Sequence, residues 1–324
     1  MPIDLSTLAD MQKLLFDVPL APLQGQRFQP TGFPDLGAAT FETDGGTCLL
    51  VESAQSMANR LEATCWDEAA RAPLPQLRGL SYVRVNDKGG QFLTSSMLEA
   101  HRLNSVYIEK ADKGAFHDTL GKEIGLAKDR PIDRAAFARA VLRFDANALL
   151  HGLFLESVDG RLRCARALSA FIEAEGVRVA ASGGVKNDLV KPGTEKKGEE
   201  GAEKRTAAEG YGNVPFHRDE FTARTITLFA SLDLAQLRGY GLEAEPTRLL
   251  TLLGLFKLRA LLDGQLRLRT ACDFQIKCDT VKATNADFVL PSRAALLSDL
   301  GHSIAACAPH FAKDHGVTTV TYAG

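Results

Sequence analysis

The chain has 324 residues and a formal net charge of −2 at pH 7; hydrophobic residues make up 45% of it and charged residues 24%. This composition is typical of a soluble globular protein with a sizeable core, so neither disulfides nor a structural metal is needed to stabilise it. The mild negative charge argues against a protein that coats DNA through a global basic surplus. It leaves room for a local basic groove.

The N-terminal segment MPIDLSTLADMQKLLFDVPL has no basic region and no long apolar region, and it contains Asp4, Asp10 and Asp17. A secretory signal peptide is therefore not expected. No window approaches eighteen uncharged apolar residues, so the sequence predicts no membrane span. We expect a cytoplasmic protein.

The cysteines do not form a metal-binding or disulfide pattern. None stands in a Cys-x-x-Cys pair, and most lie among apolar residues, so we interpret them as reduced, buried thiols. A zinc site would need clustered Cys and His. We predict no metal or other cofactor. The six are Cys48, Cys65, Cys164, Cys272, Cys278 and Cys307.

The first half of the chain begins with about forty turn-rich residues. GTCLLVE (46–52) then predicts a buried strand, and a helix follows it directly within VESAQSMANRLE (51–62). Helical spacing predicts one buried apolar stripe on this helix, formed by Ala54, Met57, Ala58, Leu61 and Cys65. LSYVRVN (80–86) predicts another strand. SSMLEAHRLNSVYI (95–108) predicts a second helix, opened by a capping box between Ser96 and Glu99.

Further elements follow from apolar runs and periodicity. ALLHGLFLESVDGRLR (148–163) predicts a strand that runs into an Asp-Gly turn, and ARALSAFIEAEG (165–176) predicts a helix closed by Gly176. VRVAAS (177–182) and GQLRLRTACDF (264–274) predict strands. ARTITLFASLDL (223–234) alternates like a half-buried antiparallel strand, and PTRLLTLLGLFKLRALLD (246–263) predicts an apolar helix.

Residues 186–212 differ from the rest in composition, with many Lys, Glu and Gly and few large apolar side chains. Such a segment cannot bury enough surface to offset its ordering entropy. We predict a mobile charged insertion within a single domain, 1–324, because strands and helices of similar style stand on both sides. One-sided strands that alternate with helices predict an α+β fold of the βαββαβ type with large insertions.

Familiar catalytic motifs are missing. The chain has no Gly-x-Ser-x-Gly, no P-loop and no His-Glu-x-x-His. HRDE (217–220) mimics a kinase catalytic loop, but the position that should be Asn is Arg224. His151 lies in the apolar run LLHGLF and is expected to be a core histidine.

Four clusters of mixed hydrogen-bond donors remain. Such sets suit contacts to phosphates and 2′-hydroxyls, which hold nucleic acid without identifying its bases. For any single cluster, ordinary surface ion pairs are the simpler explanation. Four clusters in one near-neutral chain make RNA binding an equal alternative. The clusters are Ser53, Gln55, Ser56, Asn59 and Arg60; His101, Arg102 and Ser105; Arg161, Arg163, Arg166 and Ser169; and His217 and Arg218.

Several segments in one order also resemble a known family. They are PTGFPDLG (30–37), VESAQSMANRLE (51–62), EAHRLNS (99–105), LLHGLF (149–154), RALSAFIEA (166–174) and NVPFHRDEFTA (213–223). Together they resemble the backbone RAMP subunit of type I-G (formerly I-U) CRISPR effectors, the Cas-seven-type subunit of that Cascade. The charged insertion is not part of the resemblance.

The resemblance implies an RRM-like palm with insertions and a non-catalytic scaffold. Copies would stack along a CRISPR RNA and grip its backbone through the donor clusters, while target DNA pairs with the exposed bases. The partners would be CRISPR RNA, target DNA, further copies of the chain and other Cascade subunits. The alternative is a RAMP-type, metal-independent endoribonuclease that processes CRISPR RNA. The chain offers His101, His151 and His217 for this chemistry, although no two of them share a motif.

Overall fold

A computed structural model describes residues 2–33, 37–127, 130–186, 214–264, 266–312 and 315–324. The described part contains eight α-helices and eighteen strands. The helices are α1 Ala54–Ala63, α2 Val106–Glu109, α3 Ala115–Ile124, α4 Arg134–Phe144, α5 Ala146–His151, α6 Leu234–Gly239, α7 Ala244–Asp263 and α8 Arg293–Cys307. The strands are β1 Lys13–Pro22, β2 Gly32–Phe33, β3 Gly37–Ala38, β4 Thr40–Thr43, β5 Gly46–Glu52, β6 Trp66–Asp67, β7 Ala72–Pro73, β8 Tyr82–Asn86, β9 Phe92–Ser95, β10 Leu153–Phe154, β11 Arg163–Cys164, β12 Leu168–Glu175, β13 Arg178–Lys186, β14 Val214–Thr222, β15 Thr225–Asp233, β16 Leu266–Arg269, β17 Cys272–Ile276 and β18 Val317–Thr321.

The largest sheet is antiparallel throughout, with seven strands in the order β16-β17-β1-β15-β12-β5-β4. Its central strands alternate buried and more exposed side chains, as expected when helices cover one face. Helices α1, α5, α6 and α7 pack on this sheet. The alternation predicted for 223–234 is confirmed, and the fold is α+β with an antiparallel sheet. On β15 the buried set is Ile226, Leu228, Ala230 and Leu232.

Helix α7 packs against α5. Its contact with the sheet needs Gly254, because a Cβ at that position would lie 2.9 Å from Leu232 Cδ1 on β15, whereas the 3.7 Å to Leu150 Cδ2 on α5 is an ordinary contact distance. The predicted apolar helix at 246–263 is confirmed, and most of its side chains are buried. This packing fixes the position of α5, whose last residue is His151.

Two predicted elements are of the wrong type. ALLH ends helix α5, which Asp145 caps by accepting hydrogen bonds from the backbone N–H groups of Asn147 and Ala148. ARALSAFIEAEG contains strand β12 instead of a helix. Short apolar runs do not separate the two types, and pairing with β15 and β5 overrides the Ala-rich helix propensity of β12.

The helix predicted over 95–108 is also wrong. Arg102 has φ = +50°, a left-handed conformation that interrupts a right-handed helix. Only Val106–Glu109 is α-helical. Glu99 accepts hydrogen bonds from the hydroxyls of Thr94 and Ser105 at 2.6 and 2.8 Å, so it does not form the capping box predicted with Ser96.

Strands β13 and β14 pair over their whole length and form a two-stranded ribbon. The ribbon leaves the large sheet at Gly176, where φ = +60°. The insertion predicted at 186–212 lies outside the described residues except for Lys186, which ends β13. Its mobility and the single-domain organisation stay predictions.

All six cysteines are free; four of them are buried, as the sequence predicted, whereas Cys164 and Cys278 are only partly buried. Within the part of the chain that the structure describes, no helix is both long and apolar enough to cross a membrane. Among the same residues, no three His, Cys, Asp or Glu side chains group as a metal site would require.

Candidate nucleic-acid interface

An open groove of about 760 Å³ lies between the segment 99–109 and the hairpin formed by β10 and β11. His151 and Gly152, at the end of α5, also line it. The groove brings together two clusters that are some sixty residues apart in the chain. The predicted site residues that line it are His101, Arg102, Ser105, Arg163 and Arg166.

One wall of the groove combines an aromatic ring with cations. Phe154 is 45% exposed and pairs directly with Arg163 across the hairpin. Arg163 and Arg166 are exposed and form no ion pair with any described residue. An accessible ring beside unpaired cations suits a single strand, whose bases stack and whose phosphates carry charge. Phe154 was not among the predicted site residues, because the apolar run that contains it was predicted to be a strand.

The hairpin approaches the end of α5 closely because position 152 is glycine. Gly152 has φ = +84°, and a Cβ there would lie 3.2 Å from both the backbone nitrogen of Arg166 and the carbonyl oxygen of Cys164. Any side chain would push the hairpin away from α5. The narrow base of the groove therefore depends on this residue.

Arg102 joins α1 to the end of α5 beneath the groove. Its Nε and Nη2 donate to the two carboxylate oxygens of Glu62 on α1, both at 2.7 Å, and its Nη1 donates to the carbonyl oxygen of Gly152 at 3.0 Å. Both side chains are at least nine-tenths buried. Most of the guanidinium donors of Arg102 are thus used inside the protein, so its main role here is to fix α1 against the groove.

A buried polar layer lies beneath the groove. Asn147, His151 and Lys257 are almost fully buried, and their side-chain nitrogen and oxygen atoms form no hydrogen bond to another described residue. Burial lowers the pKa of His151 well below its usual value, and the charges of Lys257, Arg102 and Arg166 lower it further. The imidazole is therefore neutral at physiological pH.

The groove is electrically mixed. Arg102, Arg163 and Arg166 line it, but three glutamates do as well: Glu99, Glu109 and Glu156. The formal charges of these side chains cancel. A bound nucleic acid would thus be held mainly by individually placed donors and by stacking, and less by a general positive potential.

The first predicted cluster lies on α1, outside this groove. The Ser53 hydroxyl caps the helix by accepting from the backbone N–H of Ser56 at 3.3 Å. Gln55 and Asn59 are exposed. Arg60 donates to backbone carbonyl oxygens of β16. The apolar stripe predicted on the same helix is confirmed, since its members from Met57 onward are buried: Met57, Ala58, Leu61 and Cys65.

The remaining predicted residues are dispersed. The hydroxyl of Ser169 lies 3.0 Å from that of Ser231 on the large sheet. His217 is exposed on β14, and Arg218 there donates to the buried carboxylate of Glu220. The Arg161 guanidinium pairs with Asp159 within its own turn at 2.8 Å. The residues of the predicted clusters outside the groove are Ser53, Gln55, Ser56, Asn59, Arg60, Arg161, Ser169, His217 and Arg218.

We expect Arg102→Ala to lower the free energy of unfolding by about 3–5 kcal/mol, because it leaves the Glu62 carboxylate buried without its partner. Urea denaturation measures this. Arg161→Ala is the matched control, since it removes an arginine from an exposed ion pair and should leave the urea midpoint nearly unchanged. Equal effects of the two substitutions would contradict the structural role of Arg102.

Asp145, the buried cap of α5, provides a pH test. Burial raises the pKa of this carboxyl to about 6, partly offset by the Ser96 hydroxyl and the charge of Arg102. Because the folded protein binds this proton more tightly than the unfolded chain, the associated stability is present below about pH 4 and is lost as the pH rises through about 6.

Asp145→Asn keeps the oxygen that caps α5 and removes the buried charge. We expect it to be more stable than the wild type above pH 6, by on the order of 2–3 kcal/mol. The gap should close toward pH 4. Thermal melts of both proteins across this range measure the effect, and a gap that is constant with pH would show that the carboxyl does not titrate as described.

The family model described as CRISPR-associated protein GSU0053 (Cas_GSU0053) matches residues 14–179, just over half of the 324-residue chain. The chain is also distantly similar to a chain of a solved "CRISPR RNA-guided surveillance complex, pre-nicking", with 14% identity and a TM-score of 0.38 over 84% of this chain and 76% of that one. No curated protein matches it. The matched family range includes every residue that lines the groove, and the chain belongs to the family of the CRISPR-associated protein GSU0053.

Proposed function

We propose that the chain is a non-catalytic, CRISPR RNA-binding backbone subunit of a type I-G (formerly I-U) Cascade, of the Cas-seven-type RAMP family. Family membership supports a role in CRISPR-based defence. The observation that carries RNA binding is the groove, in which donors from two distant segments converge beside the exposed ring of Phe154.

The proposal includes an RRM-like palm. The strand order β17-β1-β15-β12 supports it, because these antiparallel strands follow the order 4-1-3-2 of a βαββαβ unit. In that interpretation α1 to α5 occupy the first crossover and α7 the second. The two-stranded ribbon β13–β14 is an insertion between the second and third strands of the unit.

RNA would be held without recognition of its bases. Phe154 stacks on a base, while Arg163 and Arg166 contact phosphates from the same wall. His101 and the polar atoms of the facing segment add hydrogen bonds. Since none of these contacts requires a particular base edge, the edges remain available to pair with target DNA, as in other RNA-guided complexes.

A neutral groove gives each copy only modest affinity, which fits a subunit that works in series. When several copies bind one RNA, each further binding event gains from the high effective concentration of the next site. The proposed partners are accordingly CRISPR RNA, target DNA, further copies of the chain and other Cascade subunits. The proposed location is the cytoplasm.

We expect Phe154→Ala to weaken RNA binding by about 1–3 kcal/mol for each stacked base. The paired control is Phe41→Ala, which removes a ring that is 39% exposed on β4. Fluorescence anisotropy with a labelled single-stranded RNA measures both affinities. If Phe41→Ala weakens binding as much as Phe154→Ala does, the groove is not the binding surface.

Assembly on RNA should depend on its length. We expect the number of bound copies to rise stepwise as the RNA is lengthened, because each copy occupies its own segment. Analytical ultracentrifugation of the full chain with RNAs of increasing length measures this number. One bound copy at every length would argue against a backbone subunit.

One observation favours a second candidate, a metal-independent endoribonuclease. His101 and His151, far apart in the sequence, come to the same groove, His101 exposed at its wall and His151 buried beneath it, and this chemistry requires an acid and a base close together. Incubation with labelled repeat RNA in the presence of a chelator tests it. Cleavage by the wild type that is lost in His101→Ala would favour the enzyme, whereas binding without cleavage supports the scaffold.

A further inference from the structure

A second group of arginines lies on the far side of α1 from the groove. Glu62 and Arg60 are two residues apart on this helix, about 200° around its axis, so their side chains point to opposite sides. Glu62 faces Arg102 at the groove. Arg60 faces β16, where it donates to the carbonyl oxygens of Arg267 and Leu268 at 3.2 and 2.6 Å.

A cleft of about 360 Å³ lies beside Arg60, between α1, the end of α7, β16 and the start of α8. Three arginines line it: Arg60, Arg267 and Arg293. The other described lining residues are apolar, small or uncharged, and none is Asp or Glu. Arg293 is the first residue of α8, so the positive end of that helix dipole also lies at the cleft.

The buried carboxylate nearest to Arg60 is already shared. Glu52 is almost fully buried and forms an ion pair with Arg269, and it lies 3.9 Å from Arg60. One carboxylate thus serves two guanidinium groups. This leaves a net positive charge where α1 meets β16.

The other carboxylates nearby do not neutralise the cleft either. Asp263, at the end of α7, pairs with Arg259 one turn earlier. Asp273 stands opposite Arg267 on β17, yet neither Arg267 nor Arg293 forms a hydrogen bond or ion pair through its side chain with any described residue. Both are exposed. Even if Asp273 is counted against Arg267, the cleft keeps a positive surplus.

We propose that this cleft is a second anion site, independent of the groove, that binds a phosphate group: a phosphodiester of a nucleic-acid strand or a free phosphate ion. Guanidinium groups bind phosphate oxygens through paired, charge-assisted hydrogen bonds, which suits a site built from three arginines. The carbonyl oxygens of β16 hold Arg60 in place, so the cleft already has one oriented cation.

The test compares two double variants of the full chain: Arg267→Gln/Arg293→Gln in the cleft and Arg163→Gln/Arg166→Gln in the groove, alone and combined. A short fluorescent oligodeoxythymidine is titrated at several salt concentrations. Removal of two phosphate contacts should reduce the slope of log K against log salt by about 1.4, at about 0.7 for each single-strand contact. Lys122→Gln/Arg139→Gln, which removes two exposed cations on α3 and α4, is the matched control.

Binding of a strand in the cleft is supported if the two cleft substitutions reduce the slope by this amount, both when they are introduced into the wild type and when they are introduced into the groove variant. The control substitutions should leave the slope unchanged. Binding of inorganic phosphate, measured by phosphorus NMR line broadening, tests whether the ligand is a free phosphate ion instead. Phosphate binding that is lost in the cleft variant while oligonucleotide binding is unchanged assigns the site to a free ion. Unchanged binding of both ligands overturns the proposal, and a slope change only when the groove is intact overturns its independence. Failure of the groove to bind RNA would appear separately, as a groove variant without effect.

Discussion

The buried pair between Glu62 and Arg102 is the contact on which the candidate interface depends. It joins α1 to a segment that is forty residues away in the chain, and the same guanidinium holds the carbonyl oxygen of Gly152 at the end of α5. Burying two charged groups costs hydration free energy, which only well-placed hydrogen bonds offset. The bidentate hydrogen bonding between Arg102 and Glu62, with both distances at 2.7 Å, provides this. The positive φ of Arg102 follows from this position, because a continuous helix could not deliver the side chain there.

The charges of the chain suggest how a near-neutral protein could hold a polyanion. The groove contains as many glutamates as arginines, whereas the described residues that line the cleft beyond α1 include three arginines and no Asp or Glu. A nucleic acid in the groove would be held by individually placed donors and by the ring of Phe154. This binding should therefore depend less on salt than binding to a uniformly basic surface with the same area.

Sequence patterns predicted the elements whose periodicity was long and clear. The alternation of β15, the apolar run of α7 and the stripe from Met57 to Cys65 are all as expected. The short runs failed: ALLH is helical because Asp145 caps it, and RALSAFIEA is a strand because two neighbours pair with it. The Asp145 cap is a local signal that the apolar run obscured, whereas the pairing of β12 is a tertiary contact that no local pattern contains.

The candidate site was only partly visible in the sequence. Residue type singled out His101, Arg163 and Arg166, since donors that fall in short clusters are recognisable in a sequence. It could not show that Arg102 is used internally by Glu62, nor that Phe154 is exposed at the end of an apolar run. Hydropathy alone predicts an apolar residue to be buried, so an exposed ring beside Arg163 emerges only once the hairpin is folded.

We propose above that RNA lies in the groove between residues 99–109 and the hairpin of β10 and β11. Photo-cross-linking of the full chain to RNA that carries 4-thiouridine, followed by mass spectrometry of the linked peptides, tests it directly. We expect cross-links to concentrate on the segment that contains Phe154 and Arg163 and on the segment that contains His101. Cross-links confined to the outer sheet face around Ser169, with none on these two segments, would contradict the proposal.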